Sequence, residues 1–145
     1  MRNLQIRKVT GKNSMHLWWR EYNPVRTCFN WLIIYSCRYL PSLTLKNFLY
    51  RLIGMKVGKD VSVGLGAVFD IFTPELIEIG DNSIIGYNSV ILAHEFLVEE
   101  MRTGQVKIGK NALISSNCTV LPGISIGDGA KVSAMSLVNR DIPAN

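Results

Sequence analysis

The side chains in this 145-residue sequence best equipped for chemistry are two histidines, three cysteines and a scatter of carboxylates. His94 stands in ILAHEFLVEEMRTGQVKIG, residues 91–109, followed closely by Glu95, Glu99 and Glu100, whereas His16 lies in the N-terminal segment and reads as structural. An imidazole, with an unperturbed pKa of about 6.5, can accept a proton near working pH, so His94 is the candidate general base. Glu95 has two readings, orienting that imidazole or capping the stretch that follows. Glu99 and Glu100 read as solvated charges. Cys28, Cys37 and Cys118 are odd in number and lack metal-ligand spacing, which fits free thiols in a reducing, cytoplasmic setting.

What positions His94 is a repeat. From Val57 the chain divides into hexads: VGKDVS, VGLGAV, FDIFTP, then after ELIE, IGDNSI, IGYNSV and ILAHEF. After residues 97–107 the count resumes with IGKNAL, ISSNCT, VLPGIS, IGDGAK, VSAMSL and VNRDIP. The first position is Ile or Val in eleven of the twelve, the second is Gly in six, and the fifth is small in nine. Period six is neither an amphipathic helix nor an alternating strand. A short strand and a bend, repeated three times, make a triangular coil of eighteen residues with one aliphatic side chain per face pointing inward. Gly is expected to relieve backbone strain at the bends. Stacked coils pair as parallel strands about 4.8 Å apart and bury one continuous core. The predicted coils are 57–74, 79–96, 108–125 and 126–143. His94 falls at the fourth position of its hexad, where side chains face outward, and residues 97–107 are extruded beside it as a loop.

Residues 57–143 resemble the hexapeptide-repeat acyltransferases, and the histidine-plus-loop segment resembles the galactoside, maltose and nodulation-type O-acetyltransferases. The resemblance implies an all-β fold, a left-handed parallel β-helix of about four coils behind an N-terminal helical segment. It implies transfer of an acetyl group from acetyl-CoA to a saccharide hydroxyl with His94 as general base, by a homotrimer with sites between subunits. The oxyanion donor carries over to the backbone amide of Ser116, in ISSNCT. Coenzyme A would also meet Ala134, Asn139 and Arg140, in VSAMSLVNRD, the guanidinium being apt for phosphate. Counting one coil forward stacks Asp70 near Leu92 and Phe72 near His94. A polar residue in the coil before the histidine holds the acceptor in the resembling enzymes, so Asp70, bordered by Phe72, has two readings: a ligand of acceptor hydroxyls, or a hydrogen-bonded turn carboxylate. The family usually continues beyond DIPAN with a tail that helps to cover the coenzyme. Amino-sugar N-acetylation and a noncatalytic β-helix scaffold are the alternatives. A zinc carbonic anhydrase of this fold needs three histidines, so no metal is expected.

Residues 1–56 form a different segment, and residues 57–145 the β-helix domain. Residues 1–60 carry eleven Lys and Arg against two acids, or +9, and residues 61–145 carry five against nine, or −4. The acidic remainder argues against a broad nucleic-acid surface. Cap and breaker residues predict one helix from about Pro24 to Leu40, a break at Pro41, and a second from Ser42 to Ile53 ended by Gly54. CFNWLIIYSCRYL is too short to span a membrane and does not read as a signal peptide. Residues 15–53 have two readings: packing on the β-helix or a neighbouring subunit, or peripheral contact with an anionic membrane.

Overall fold

The computed structural model describes residues 1–145. An N-terminal strand β1 (Gln5–Lys8) leads through a short 3-10 turn to helices α1 (Trp18–Glu21), α2 (Pro24–Tyr39) and α3 (Leu43–Leu52). Four coils follow. The first holds β2 (Lys56–Val57), β3 (Ser62–Val63) and β4 (Val68–Phe69), and the second holds β5 (Ile77–Ile79), β6 (Ile84–Ile85) and β7 (Val90–Ile91). A hairpin, β8 (His94–Phe96) and β9 (Glu100–Thr103), interrupts them. The third coil holds β10 (Val106–Ile108), β11 (Leu113–Ile114) and β12 (Thr119–Val120), and the fourth β13 (Ser125–Ile126), β14 (Lys131–Val132) and β15 (Leu137–Val138).

Each coil gives one strand to each of three parallel sheets, ordered β2-β5-β10-β13, β3-β6-β11-β14 and β4-β7-β12-β15. These are the first, second and third faces of a triangular prism. The register stacks equal hexad positions, as in Val57↔Ile79, Val63↔Ile85 and Phe69↔Ile91, so every first-position side chain is buried on the axis.

Glycine relieves backbone strain at three of the bends, as expected: Gly66, Gly123 and Gly129, each the fourth residue of its hexad, have φ of 79°, 76° and 72°. The same fourth position is Asn at four other bends, where Asn82, Asn88, Asn111 and Asn117 have φ of 57°, 58°, 54° and 55°. Asparagine tolerates that region because its short amide can bond locally. Here the amides bond between coils, Asn82 Nδ2 to Asn111 Oδ1 (2.8 Å) and Asn88 Nδ2 to Asn117 Oδ1 (2.9 Å). The second-position glycines answer to space instead. A Cβ on Gly86 would lie 2.5 Å from the Ser115 carbonyl carbon, and one on Gly80 2.6 Å from that of Gly109.

The helices close the open end of the prism. Asn23 caps α2, Ser42 caps α3, and Gly54 ends α3 at φ 98°. The first coil has no rung beneath it, so its outward carbonyls need other donors. Lys46 Nζ bonds Val63 O (2.6 Å), Asn47 Nδ2 bonds Val61 O (2.7 Å), Arg51 Nε bonds Val57 O (2.8 Å) and Asn30 Nδ2 bonds Ile71 O (2.9 Å). Burial pushes the Lys46 ammonium below the usual lysine range, with Cys37 opposing. Ile34, Cys37, Tyr50, Ile53 and Met55 belong with the coil residues to one core of 26 side chains, so residues 1–56 and 57–145 share an interior.

Candidate active site

The site lies where the chain leaves the prism, at the corner joining the third face to the first. Residues 97–107, expected as a loop, supply the return strand of a hairpin instead: β8 pairs antiparallel with β9, and β1 adds to the other edge of β9. The register Gln5↔Thr103↔His94 makes a three-stranded sheet that fixes His94. Arg2, Asn3 and Met1 continue along the same corner, Arg2 Nη1 bonding Glu95 (2.6 Å) and Asn3 N bonding Gly123 O (3.0 Å). The sequence predicts no strand in residues 1–23, because a four-residue strand without strict alternation offers no periodic signal.

The Phe69↔Ile91 register brings Asp70 beneath Leu92 and Phe72 against His94, whose rings lie 4.7 Å apart. Asp70 takes the reading of a hydrogen-bonded turn carboxylate, and adds the imidazole to its partners. Its Oδ1 accepts from the amides of Phe72 (2.8 Å) and Thr73 (3.1 Å), and its Oδ2 from the amide of Ala93 (2.8 Å) and from His94 Nδ1. Its side chain is fully buried, and every bond it makes holds the turn or the imidazole. Burial pushes this carboxyl up, yet the hydrogen bond and charge of His94 and the Ala93 and Thr73 amides together hold it below the usual carboxylate range. An ionised carboxylate only accepts, so the proton of the imidazole sits on Nδ1 and Nε2 keeps a lone pair.

For Glu95 the strand decides between its two readings. Successive side chains of a strand point to opposite sides, so Glu95 turns away from His94 and pairs with Arg2 and, at 3.9 Å, with Arg102. The imidazole is held by Asp70, which Glu95 cannot replace from the far side of the sheet. His94 shares its side with Phe96, and the two rings and Phe72 pack edge to face, with Trp18 and Tyr22 behind Phe72. This aromatic collar came within reach of sequence reasoning only at Phe72; Trp18 and Tyr22 arrive from the N-terminal segment.

Beside the collar is a cavity of about 390 Å³ bounded by Gln5, Arg7, Tyr22, Thr73, Met101 and Thr103. Thr73 Oγ1 is buried there without a hydrogen-bond partner. Burial, with the charges of Asp70 and Glu75, pushes the Tyr22 phenol up to about 12, so it stays a neutral donor. An Arg7–Glu21 ion pair crosses one side of this space.

The remaining predicted residues fall on two corners. Asn139 and Arg140 are exposed on the fourth coil at the corner of His94. Ser116 and Ala134 lie on the corner joining the second and third faces, adjacent coils there being tied by Met135 N to Ser116 O (3.0 Å). The Ser116 amide has no acceptor within the chain. One face of about six residues separates that amide from the His94 corner, roughly 15–20 Å at the rise of a strand. A single chain therefore does not bring Ser116 and His94 together.

Two family models match the chain, bacterial transferase hexapeptide (six repeats) over residues 105–140 and hexapeptide repeat of succinyl-transferase over residues 54–93. The chain belongs to the hexapeptide-repeat acyltransferases, and its fold is their left-handed parallel β-helix. YvoF of Bacillus subtilis (strain 168), which bears the name of an acetyltransferase, is 46% identical over 147 residues, covering 99% of this chain and 84% of YvoF. A galactoside acetyltransferase in complex with coenzyme A has the same fold, with a TM-score of 0.63 at 22% identity over 84% of this chain and 74% of that one. So does the acetyltransferase VCA0836 of Vibrio cholerae complexed with acetyl coenzyme A, with a TM-score of 0.62 at 16% identity over 83% and 79%.

Proposed function

We propose that this protein is a coenzyme-A-dependent O-acetyltransferase that moves an acetyl group from acetyl-CoA to a hydroxyl of a saccharide. The observation that carries the reading is the Asp70–His94 pair at the edge of the hairpin. Asp70 fixes the ring and its tautomer, leaving Nε2 as the base. Nε2 takes the hydroxyl proton as the oxygen attacks the thioester carbonyl, and the tetrahedral intermediate collapses by breaking the C–S bond. The leaving thiolate takes the proton back, so no covalent enzyme intermediate is needed. Asp70 acts through His94 as a positioning residue, and the neighbouring cavity, with Tyr22, Thr73 and Thr103, has the hydroxyl donors and aromatic wall that suit a sugar.

Acetyl-CoA as donor is supported by the relatives' names and by the coenzymes in the two related structures. The separation of Ser116 from His94 favours a homotrimer in which the Ser116 corner of one subunit faces the His94 corner of the next, its free amide serving as oxyanion donor. Ala134, Asn139 and Arg140 would then line opposite walls of the coenzyme groove. The test is thiol release from acetyl-CoA over a panel of neutral and amino sugars, with light scattering on the same sample. We expect acceptor-dependent turnover by particles of three chains, lowered roughly 10²–10⁴-fold in His94→Ala with unchanged circular dichroism. Near-normal turnover by a folded His94→Ala protein would overturn the mechanism, and an active monomer would overturn the shared site.

A further inference from the structure

The two long helices are apolar on the wrong side for helices that merely cap a prism. The side of α2 facing the first coil carries Thr27, Asn30, Ile34 and Cys37, all buried. The side facing away carries Val25, Phe29, Trp31, Leu32, Tyr35 and Tyr39, all exposed, Phe29 by 46% and Leu32 by 55%, and no charged residue interrupts them. In α3 the outward stripe is Leu45, Phe48 and Leu52, at spacings of three and four, while Lys46, Asn47 and Tyr50 face inward. Polar groups thus point to the protein, where they bond coil carbonyls, and aromatic and aliphatic groups point outward. The helices pack on the β-helix, as one sequence reading had it, and still present the surface the other reading required.

We infer that this outer face docks peripherally on an anionic phospholipid bilayer. The apolar stripe is bordered by cations: Arg51, Lys56 and Lys59 are exposed at the rim of the capped end, and residues 13–60 carry seven Lys and Arg against two acids, or +5, whereas the four cations of residues 1–12, beside the hairpin, offset the −4 of residues 61–145. That local excess attracts the capped end to an anionic surface, and the remaining coils add no net attraction. Trp31 and Tyr35, with ring centroids 6.0 Å apart, are the side chains that favour the headgroup layer. No helix is long and apolar enough to cross a membrane, so the helices lie on it. Because they cover the end of the prism, the prism stands with its first coil toward the lipid. His94, on the second coil, then sits roughly 15 Å above the docked surface, one helix layer and one coil spacing away.

The test uses the full chain, since α2 and α3 supply core residues and their removal would unmake the fold. The intact protein is sedimented with mixed phosphatidylglycerol and phosphatidylcholine vesicles, and with phosphatidylcholine alone, at low and high salt. A variant combining Phe29→Glu, Leu32→Glu and Phe48→Glu is compared, with circular dichroism and light scattering as controls. We expect binding to the anionic vesicles, release by salt, and at least about tenfold weaker binding of the variant at unchanged fold and particle size. Failure of the intact protein to bind at low salt, or equal binding to both lipid compositions, overturns the inference. So does a variant whose particles fall apart while vesicle binding persists, which would make the face a contact between copies. Should the variant misfold, Lys56→Glu with Lys59→Glu gives a second reading, and unchanged vesicle binding by that folded protein overturns the inference equally.

Discussion

Two corners of the same prism have opposite characters. Where the second face meets the third, each coil turns on a left-handed Asn, Gly or Met, and the amides of Asn88 and Asn117 bond from coil to coil. Where the third face meets the first, the chain departs twice, through ELIE after the first coil and through the hairpin after the second, and Phe72 and His94 stand in place of the left-handed residue. The regular corner is specified by backbone conformation and offers backbone groups such as the Ser116 amide. The interrupted corner is specified by side chains and gathers a carboxylate, an imidazole and an aromatic collar. A strict repeat cannot diversify its interior, so its chemistry collects where the repeat is broken.

The contrast can be broken most severely at Asp70. Asp70→Asn keeps the size of the side chain but gives Oδ2's place to a group that can donate, so His94 loses its fixed tautomer; acetyl transfer should fall about tenfold to a hundredfold. Stability will report the same carboxylate. Its folded pKa lies below its unfolded value of about 3.9, so its contribution is present above that pH and is lost as pH falls through the lower folded value. Chemical denaturation from pH 7 down to pH 2 should therefore show a loss of stability in the wild type that Asp70→Asn lacks, and parallel curves would refute the assignment.

At the regular corner the two requirements separate by position. Gly86→Ala places a methyl against the backbone of Ser115 and Ser116 and should destabilise by about 1–3 kcal/mol. Asn117→Ala, which meets only the left-handed φ and the lost amide bond, should cost about 1–2 kcal/mol. Urea midpoints for the two variants decide whether close approach or backbone conformation dominates. The smallest effect is expected at Glu95. Since it points away from the imidazole, Glu95→Gln should change the turnover number by less than about threefold, with some loss of stability from the Arg2 pair, at most about 1 kcal/mol. A hundredfold drop in turnover would restore Glu95 as the residue that orients His94.

These corners also explain what could be read from the chain and what could not. The twelve hexads, the four coils and the stacking of Phe72 on His94 were legible because each rung repeats at a fixed interval and the register follows by counting. The two helices were legible from Asn23, Ser42 and Gly54, residues whose capping and terminating roles are local. Asp70 was singled out with two readings, and its bond to His94 lay in neither, since counting shows which residues stack and not which way a carboxylate turns. The two readings of Glu95 could not be separated from the sequence, because the strand β8 that sends it outward exists only through pairing with β9. Trp18, Tyr22 and the strand β1 were missed for the same reason: they reach the site across about seventy to a hundred residues of sequence, and nothing in their own spacing announces a destination.

The strand β1 has a further consequence, for the order in which the molecule forms. Neighbouring coils meet across about twenty to thirty residues, so the prism can grow rung by rung from contacts close along the chain. The bond between β1 and β9 joins Gln5 to Thr103, a closure that must wait for almost the whole chain and that orders a long intervening segment at once. The hairpin that carries His94 is therefore tied down by a contact far longer in sequence than any rung of the prism. The catalytic corner is thus closed by a strand whose partner lies almost a hundred residues away.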